Sequence, residues 1–167
     1  MCVLPTACVF PPPPLEEEAA PPSALVDVQK LTPRTAGVQK TAFEPEAPHL
    51  LFDVSRALVV PAGGPRSQVY WWVAYDPENP FPSNVAATES YEFDPCDEGL
   101  INLVPCDGTA DQCVKTYLVE AFVTTGEMIL AGDSFLEQRQ SRNGEPVTVV
   151  TWTVSVAGDP SRCSGGR

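Results

Sequence analysis

Residues 149–156 read VVTWTVSV, and no stretch constrains the fold more. Val150, Trp152, Val154 and Val156 fall on one side of an extended chain, with Thr151, Thr153 and Ser155 on the other. A period of two belongs to a strand with one buried face, because successive side chains point to opposite sides. The same alternation recurs in SQVYWWVAYD, which sets Val69, Trp71, Val73 and Tyr75 against Gln68, Tyr70, Trp72 and Ala74. HLLFDVS sets Leu50, Phe52 and Val54 against Leu51, Asp53 and Ser55. CVKTYLVEAFVTT is a long β-branched and aromatic run, and SYEF a short one. Gly63-Gly64 and Asn143-Gly144 punctuate these runs, the second as a tight-hairpin signal. No segment holds helical periodicity. Short strands without intervening helices predict an all-β antiparallel sandwich over residues 48–167.

The first 47 residues read differently. Ten of the nineteen prolines lie at or before Pro48, alongside the run Glu16-Glu17-Glu18 and few large apolar side chains. Such a composition buries too little surface to offset its ordering entropy. Residues 1–47 are therefore expected to form an extended proline-rich, acidic arm, a tether or docking segment. Within it, Ala24–Val28 could pair as an edge strand.

With a net charge of −12 and no Lys/Arg cluster, the chain is not expected to bind nucleic acid, whose phosphates it would repel. No stretch approaches the ~20 apolar residues of a membrane helix. A basic n-region with an apolar h-region is also missing before Cys2 or Cys8. Between Arg66 and Lys115 the chain carries acids but no bases. Clustered carboxylates suit calcium, yet the ordered ligand spacing of a calcium loop is absent, and solvated acidic loops are the plainer reading. No metal or cofactor is expected.

Cys96, Cys106, Cys113 and Cys163 lack paired zinc-ligand spacing, and His49 is the one histidine. Disulfides in an oxidising compartment are the better reading. Cys106–Cys113 closes the most economical local loop, leaving Cys96–Cys163. Cys96–Cys106 with Cys113–Cys163 competes, and spacing does not choose.

The strand order HLLFDVS, QVYWWVAYD, KTYLVEAFVTT, VTWTVSV resembles immunoglobulin-like domains of the bacterial polycystic-kidney-disease-repeat or cadherin-like kind. That resemblance covers about residues 48–157 and implies a buried tryptophan between two sheets, either Trp71 or Trp72. The acidic insertion from DPENPFPSN through DPCDEG departs from it. The opening MCVLPTACVFPPPP resembles the mature start of a bacterial surface lipoprotein, implying an acylated Cys2, or alternatively Cys8, ahead of a flexible tether. Cys2 and Cys8 could instead pair with each other or with another chain. Gly132-Asp133-Ser134-Phe135 resembles the nucleophile block of GDS-type esterases. A serine needs a base, and His49 lies upstream, so a turn entering a strand is the simpler account.

Together these features predict a non-enzymatic, extracytoplasmic, lipid-anchored domain of the cell surface or outer membrane. Its role would be adhesion, scaffolding or a structural part of a surface assembly. Contacts with other surface proteins or subunits would run through the arm and the sheet faces. The alternative is a carbohydrate-binding module, with outward Tyr70 and Trp72 stacking on sugar rings.

Overall fold

The computed structural model describes residues 25–60, 63–73, 88–101, 106–107, 109, 112–129 and 140–166. These residues are mostly β, with little helix. Six strands, β1 (Val38–Ala42), β2 (Leu50–Asp53), β3 (Gln68–Val73), β4 (Ser90–Phe93), β5 (Val114–Thr124) and β6 (Val147–Ala157), form two sheets. One has the order β1-β6-β5-β3, and the other pairs β2 with β4. A one-turn helix, α1 (Glu98–Ile101), lies between β4 and β5.

The alternating runs explain the larger sheet. β5 and β6 pair antiparallel along their whole length, from Val114 opposite Ala157 to Thr124 opposite Val147. β3 joins the other edge of β5 with Trp71 opposite Ala121 and Val73 opposite Val119. These registers align Val73, Val119 and Trp152 in one inward row, and Trp71, Ala121 and Val150 in the next. From the smaller sheet, Phe52, Tyr91 and Phe93 join the same core.

Aromatic rings tie the two sheets together. Phe52 meets Trp152 at 5.2 Å, Trp71 stacks on Tyr91 at 5.8 Å, and Phe93 meets Tyr117 edge-on at 5.3 Å. Each ring removes about 150–250 Å² from water, the dominant favourable contribution to a core of this kind. Both core indoles also have a polar outlet. Trp71 Nε1 donates to the Thr88 carbonyl at 2.7 Å, and Trp152 Nε1 to the Pro33 carbonyl at 2.8 Å.

The stretch expected as a tether or docking arm is, from Leu25 on, packed into the fold. Leu25, Val26, Leu31 and Phe43 are buried in the main core. Val26 bridges Leu58, and Thr32 and Asp53 exchange backbone hydrogen bonds at 3.1 and 2.7 Å. Beyond Pro33 the chain leaves β2 and pairs as β1 with β6, Val38 opposite Thr153. A boundary at residue 47 therefore does not separate two packing units. The physical reason is that a few well-spaced apolar side chains and a ladder of backbone bonds suffice where a preformed sheet supplies the other half of each contact.

The β1–β6 pairing is parallel, so the four-stranded sheet is mixed rather than wholly antiparallel. Asn143-Gly144 does form a tight turn, with Gly144 at φ +81° and its N–H bonded to the Ser141 carbonyl. That turn sits inside the long β5–β6 connection instead of joining the two strands directly.

Of the two cysteine pairings, the structure carries Cys96–Cys163 and Cys106–Cys113. The first ties the β4–α1 corner to the C-terminal turn Pro160–Gly166, and the second closes the entrance to β5.

Candidate functional site

Adjacent tryptophans on β3 go to opposite sides, as a pleated strand requires. Trp71 fills the main core, whereas Trp72 and Tyr70 point to the outer face of the four-stranded sheet. They are not open there. Trp72 is 1% exposed and Tyr70 6%, both packed with Phe122, Met128 and Val147 in a second apolar cluster. The Phe122 ring lies 4.4 Å from that of Trp72. This corrects the expectation of a sugar-stacking platform, because a ring covered by Met128 and Phe122 has no free face to offer.

Among the described residues, part of that outer face is exposed. Leu118 on β5 is 45% exposed, Val149 on β6 42% and Val38 on β1 50%. Leu118, Thr153 and Val38 form one row across three strands, flanked by the rows Thr116–Ser155–Lys40 and Glu120–Thr151. Of the outward side chains on these four strands, all of them described, Lys40 and Glu120 are the ones charged at neutral pH. Glu120 is itself buried and accepts from the Thr151 hydroxyl at 3.4 Å. The surface is thus a low-charge field of Val, Leu, Thr and Ser.

The outer face of the small sheet contrasts with it. There Leu51 lies opposite Glu92 and Asp53 opposite Ser90. His49, at the entrance to β2, contacts Glu92 through Nδ1 at 2.7 Å and Asp94 through Nε2 at 3.7 Å. Both ring nitrogens of His49 thus face surface carboxylates. Ser134, like Cys2 and Cys8, lies outside the described residues.

Two inward side chains of β5 fasten α1 to the sheet. Tyr117 Oη donates to the Leu100 carbonyl at 3.0 Å, and burial pushes its phenol up to about 12. Lys115 Nζ donates to the Ile101 carbonyl and lies 5.8 Å over the Phe43 ring, with burial holding its ammonium below the usual lysine range. Carbonyls at a helix C-terminus lack partners within the helix, and here β5 supplies donors for two of them. Reading the sequence as strands did not find this pair. The signal was present in the phase of KTYLVEA, since placing Tyr117 and Val119 inward forces Lys115 inward and Leu118 outward.

A shallow cavity of about 250 Å³ is lined by Ser55, Leu58, Val60, Arg66, Ser67 and Glu89. Among the described residues, no three His, Cys, Asp or Glu side chains gather in a geometry that could hold a metal ion. No described helix is long and apolar enough to cross a membrane.

Comparisons of this chain with family models, curated proteins and solved structures find no match.

Proposed function

We propose that this chain is a non-enzymatic, extracytoplasmic domain of immunoglobulin-like β-sandwich type that makes adhesive or scaffolding contacts through a sheet face. The observation that carries the reading is the exposed, nearly uncharged part of the outer sheet face around Leu118, Thr153 and Val38. Apolar and hydroxyl side chains arrayed on a rigid sheet can desolvate at an interface without stranding charges.

Three features support the fold type. Immunoglobulin constant-type domains divide their strands into A-B-E-D and C-F-G sheets. With β2, β3, β4, β5 and β6 taken as B, C, E, F and G, the pairings β2–β4 and β3–β5–β6 follow that division. Residues 26–32, bridged to β2 and its exit, would take the place of strand A. Trp71 then stands as the core tryptophan of strand C, and Tyr117 as a tyrosine near the start of strand F bonded back to the E–F corner. The chain departs from antibody domains in lacking a disulfide between β2 and β5. Its two bridges brace the β4–β5 corner and the C-terminus instead.

Two disulfides fit an oxidising, extracytoplasmic compartment. Attachment to a cell surface or outer membrane through acylated Cys2, with Cys8 as the alternative, belongs to the same proposal. Intact-mass measurement on native protein tests it by reading the acyl increment. Contact through the sheet face is tested by immobilising wild type and Leu118→Glu at equal density and measuring retention of envelope proteins from the producing cell. The reading expects Leu118→Glu to lose the retained set, while equal retention by both would remove the sheet face from the account.

A further inference from the structure

Asn143-Gly144 makes the tight turn in the β5–β6 connection, and the same dipeptide is chemically the least durable in the chain. An asparagine side-chain amide is open to attack by the backbone nitrogen of the residue that follows it. Asn79, Asn84, Asn102 and Asn143 are followed by proline, valine, leucine and glycine respectively. Proline has no backbone N–H to give up, and the side chains of valine and leucine crowd the approach. Glycine, without a Cβ, leaves its nitrogen free to close the ring.

The folded turn is accessible and lightly held. Asn143 and Gly144 are both exposed. Nothing lies within 4 Å of the position a side chain on Gly144 would occupy. The Gly144 N–H meets the Ser141 carbonyl at 3.3 Å, beyond the usual backbone range of about 2.7–3.2 Å. The Asn143 amide is held by an exposed bond, from Nδ2 to Glu145 Oε1 at 3.3 Å. We infer that Asn143 is a site of spontaneous modification, deamidating through a succinimide, and that the change loosens the cover over Trp72.

The Gly144 nitrogen gives up its proton and bonds to Cγ of Asn143. The Cγ–Nδ2 bond breaks, and that nitrogen leaves as ammonia with the displaced proton. Water then opens the cyclic imide at either carbonyl. Opening at Cγ gives aspartate, and opening at the main-chain carbonyl gives isoaspartate, whose backbone runs through the former side chain. The sum is amide and water to carboxylic acid and ammonia, with nothing oxidised or reduced.

Residues 127–129 and 140–142 lie side by side across this turn. Met128 bridges Ser141, Ile129 N–H donates to the Gln140 carbonyl at 3.1 Å, and Arg142 N–H donates to the Glu127 carbonyl at 2.7 Å. Ser141 Oγ draws the turn shut by donating to the Glu145 carbonyl at 2.8 Å. Isoaspartate inserts a methylene into the backbone between those two residues, so the closing bonds lose their alignment. Aspartate keeps the backbone but sets a carboxylate against Glu145 where a donor stood. Met128 packs in the outer cluster with Trp72 and Phe122, and a slack turn weakens the pairing that holds it there.

The test ages the full chain in warm, mildly alkaline buffer beside a sample held unfolded in urea. Peptide mapping that separates aspartate from isoaspartate follows both. The folded protein should convert Asn143 within about tenfold of the unfolded rate, because exposed turns open at little cost. Asn79, Asn84 and Asn102 should lag behind it, and Asn143→Gln should show no conversion at this position. In the isoaspartate product, hydrogen exchange at the Ile129 and Arg142 amides should quicken several-fold, while the central β5–β6 ladder keeps its rates. Asn143 persisting in the folded protein while the urea sample converts, or conversion led by another asparagine, would overturn the assignment of the site. Unchanged exchange at Ile129 and Arg142 in the converted protein would overturn its effect on the cover over Trp72.

Discussion

Tyr117 on β5 donates its phenolic hydrogen to the carbonyl of Leu100 at 3.0 Å, joining the longest pair of strands to the one-turn helix that precedes them. Both ends of that bond are buried. Removing the hydroxyl leaves a buried carbonyl without its donor, at a cost of about 1–3 kcal/mol. Tyr117→Phe should therefore lower the urea midpoint with the slope unchanged. An unaltered midpoint would mean that the corner is held by Lys115 and the Cys96–Cys163 bridge alone.

The same phenol makes stability sensitive to alkali. Burial raises it to about 12 in the folded state, above the ordinary tyrosine value of 10.0. Between those values the unfolded chain releases the proton and the folded chain keeps it, so the folded state binds more protons and stability falls as pH rises. The contribution is fully present below pH 10 and is lost as pH climbs through about 12. The difference in unfolding free energy between wild type and Tyr117→Phe should shrink over that window, which denaturant titration at stepped pH would read directly.

Trp72 separates a covered cluster from an open platform. At 1% exposure it loses packing against Phe122 and Met128 when truncated. Trp72→Ala should cost about 3–5 kcal/mol, the usual range for a buried large aromatic. A solvent-facing ring would lose far less, so a variant as stable as wild type would return Trp72 to the surface.

How much of this was legible in the chain depends on where the information sits. β6 could be read because VVTWTVSV alternates without interruption, so its inward row of Val150, Trp152, Val154 and Val156 is a local property. The opposite facing of Trp71 and Trp72 was equally local. The cover over Trp72 was not, since it depends on Phe122 and on Met128 beyond the end of β5. Residues 25–47 were obscured by their prolines and glutamates, which set the composition, while Leu25, Val26, Leu31 and Phe43 set the packing. The parallel pairing of Val38 with Thr153 joins residues over a hundred positions apart, and no periodicity in either segment encodes it. Leu118 illustrates a third case. Its outward position follows from the phase of β5, but only once Lys115 is accepted as an inward residue.

The two disulfides differ in what they restrain. Cys96–Cys163 closes a loop with a sequence separation of 67, against 7 for Cys106–Cys113. The chain-entropy model assigns them about 4.4 and 2.5 kcal/mol respectively. Replacing Cys96 and Cys163 together by alanine should destabilise the fold more than replacing Cys106 and Cys113, by about 2 kcal/mol in equilibrium unfolding. The reverse order would indicate that the C-terminal turn contributes little to holding the β4–β5 corner.

The central claim is an oxidised β fold whose β4–α1 corner is bonded to its C-terminus. Peptide mapping of native protein under non-reducing conditions tests it most directly. The account predicts linked peptides joining Cys96 to Cys163 and Cys106 to Cys113. Free thiols at these four positions, or links joining Cys96 to Cys106 and Cys113 to Cys163, would contradict it.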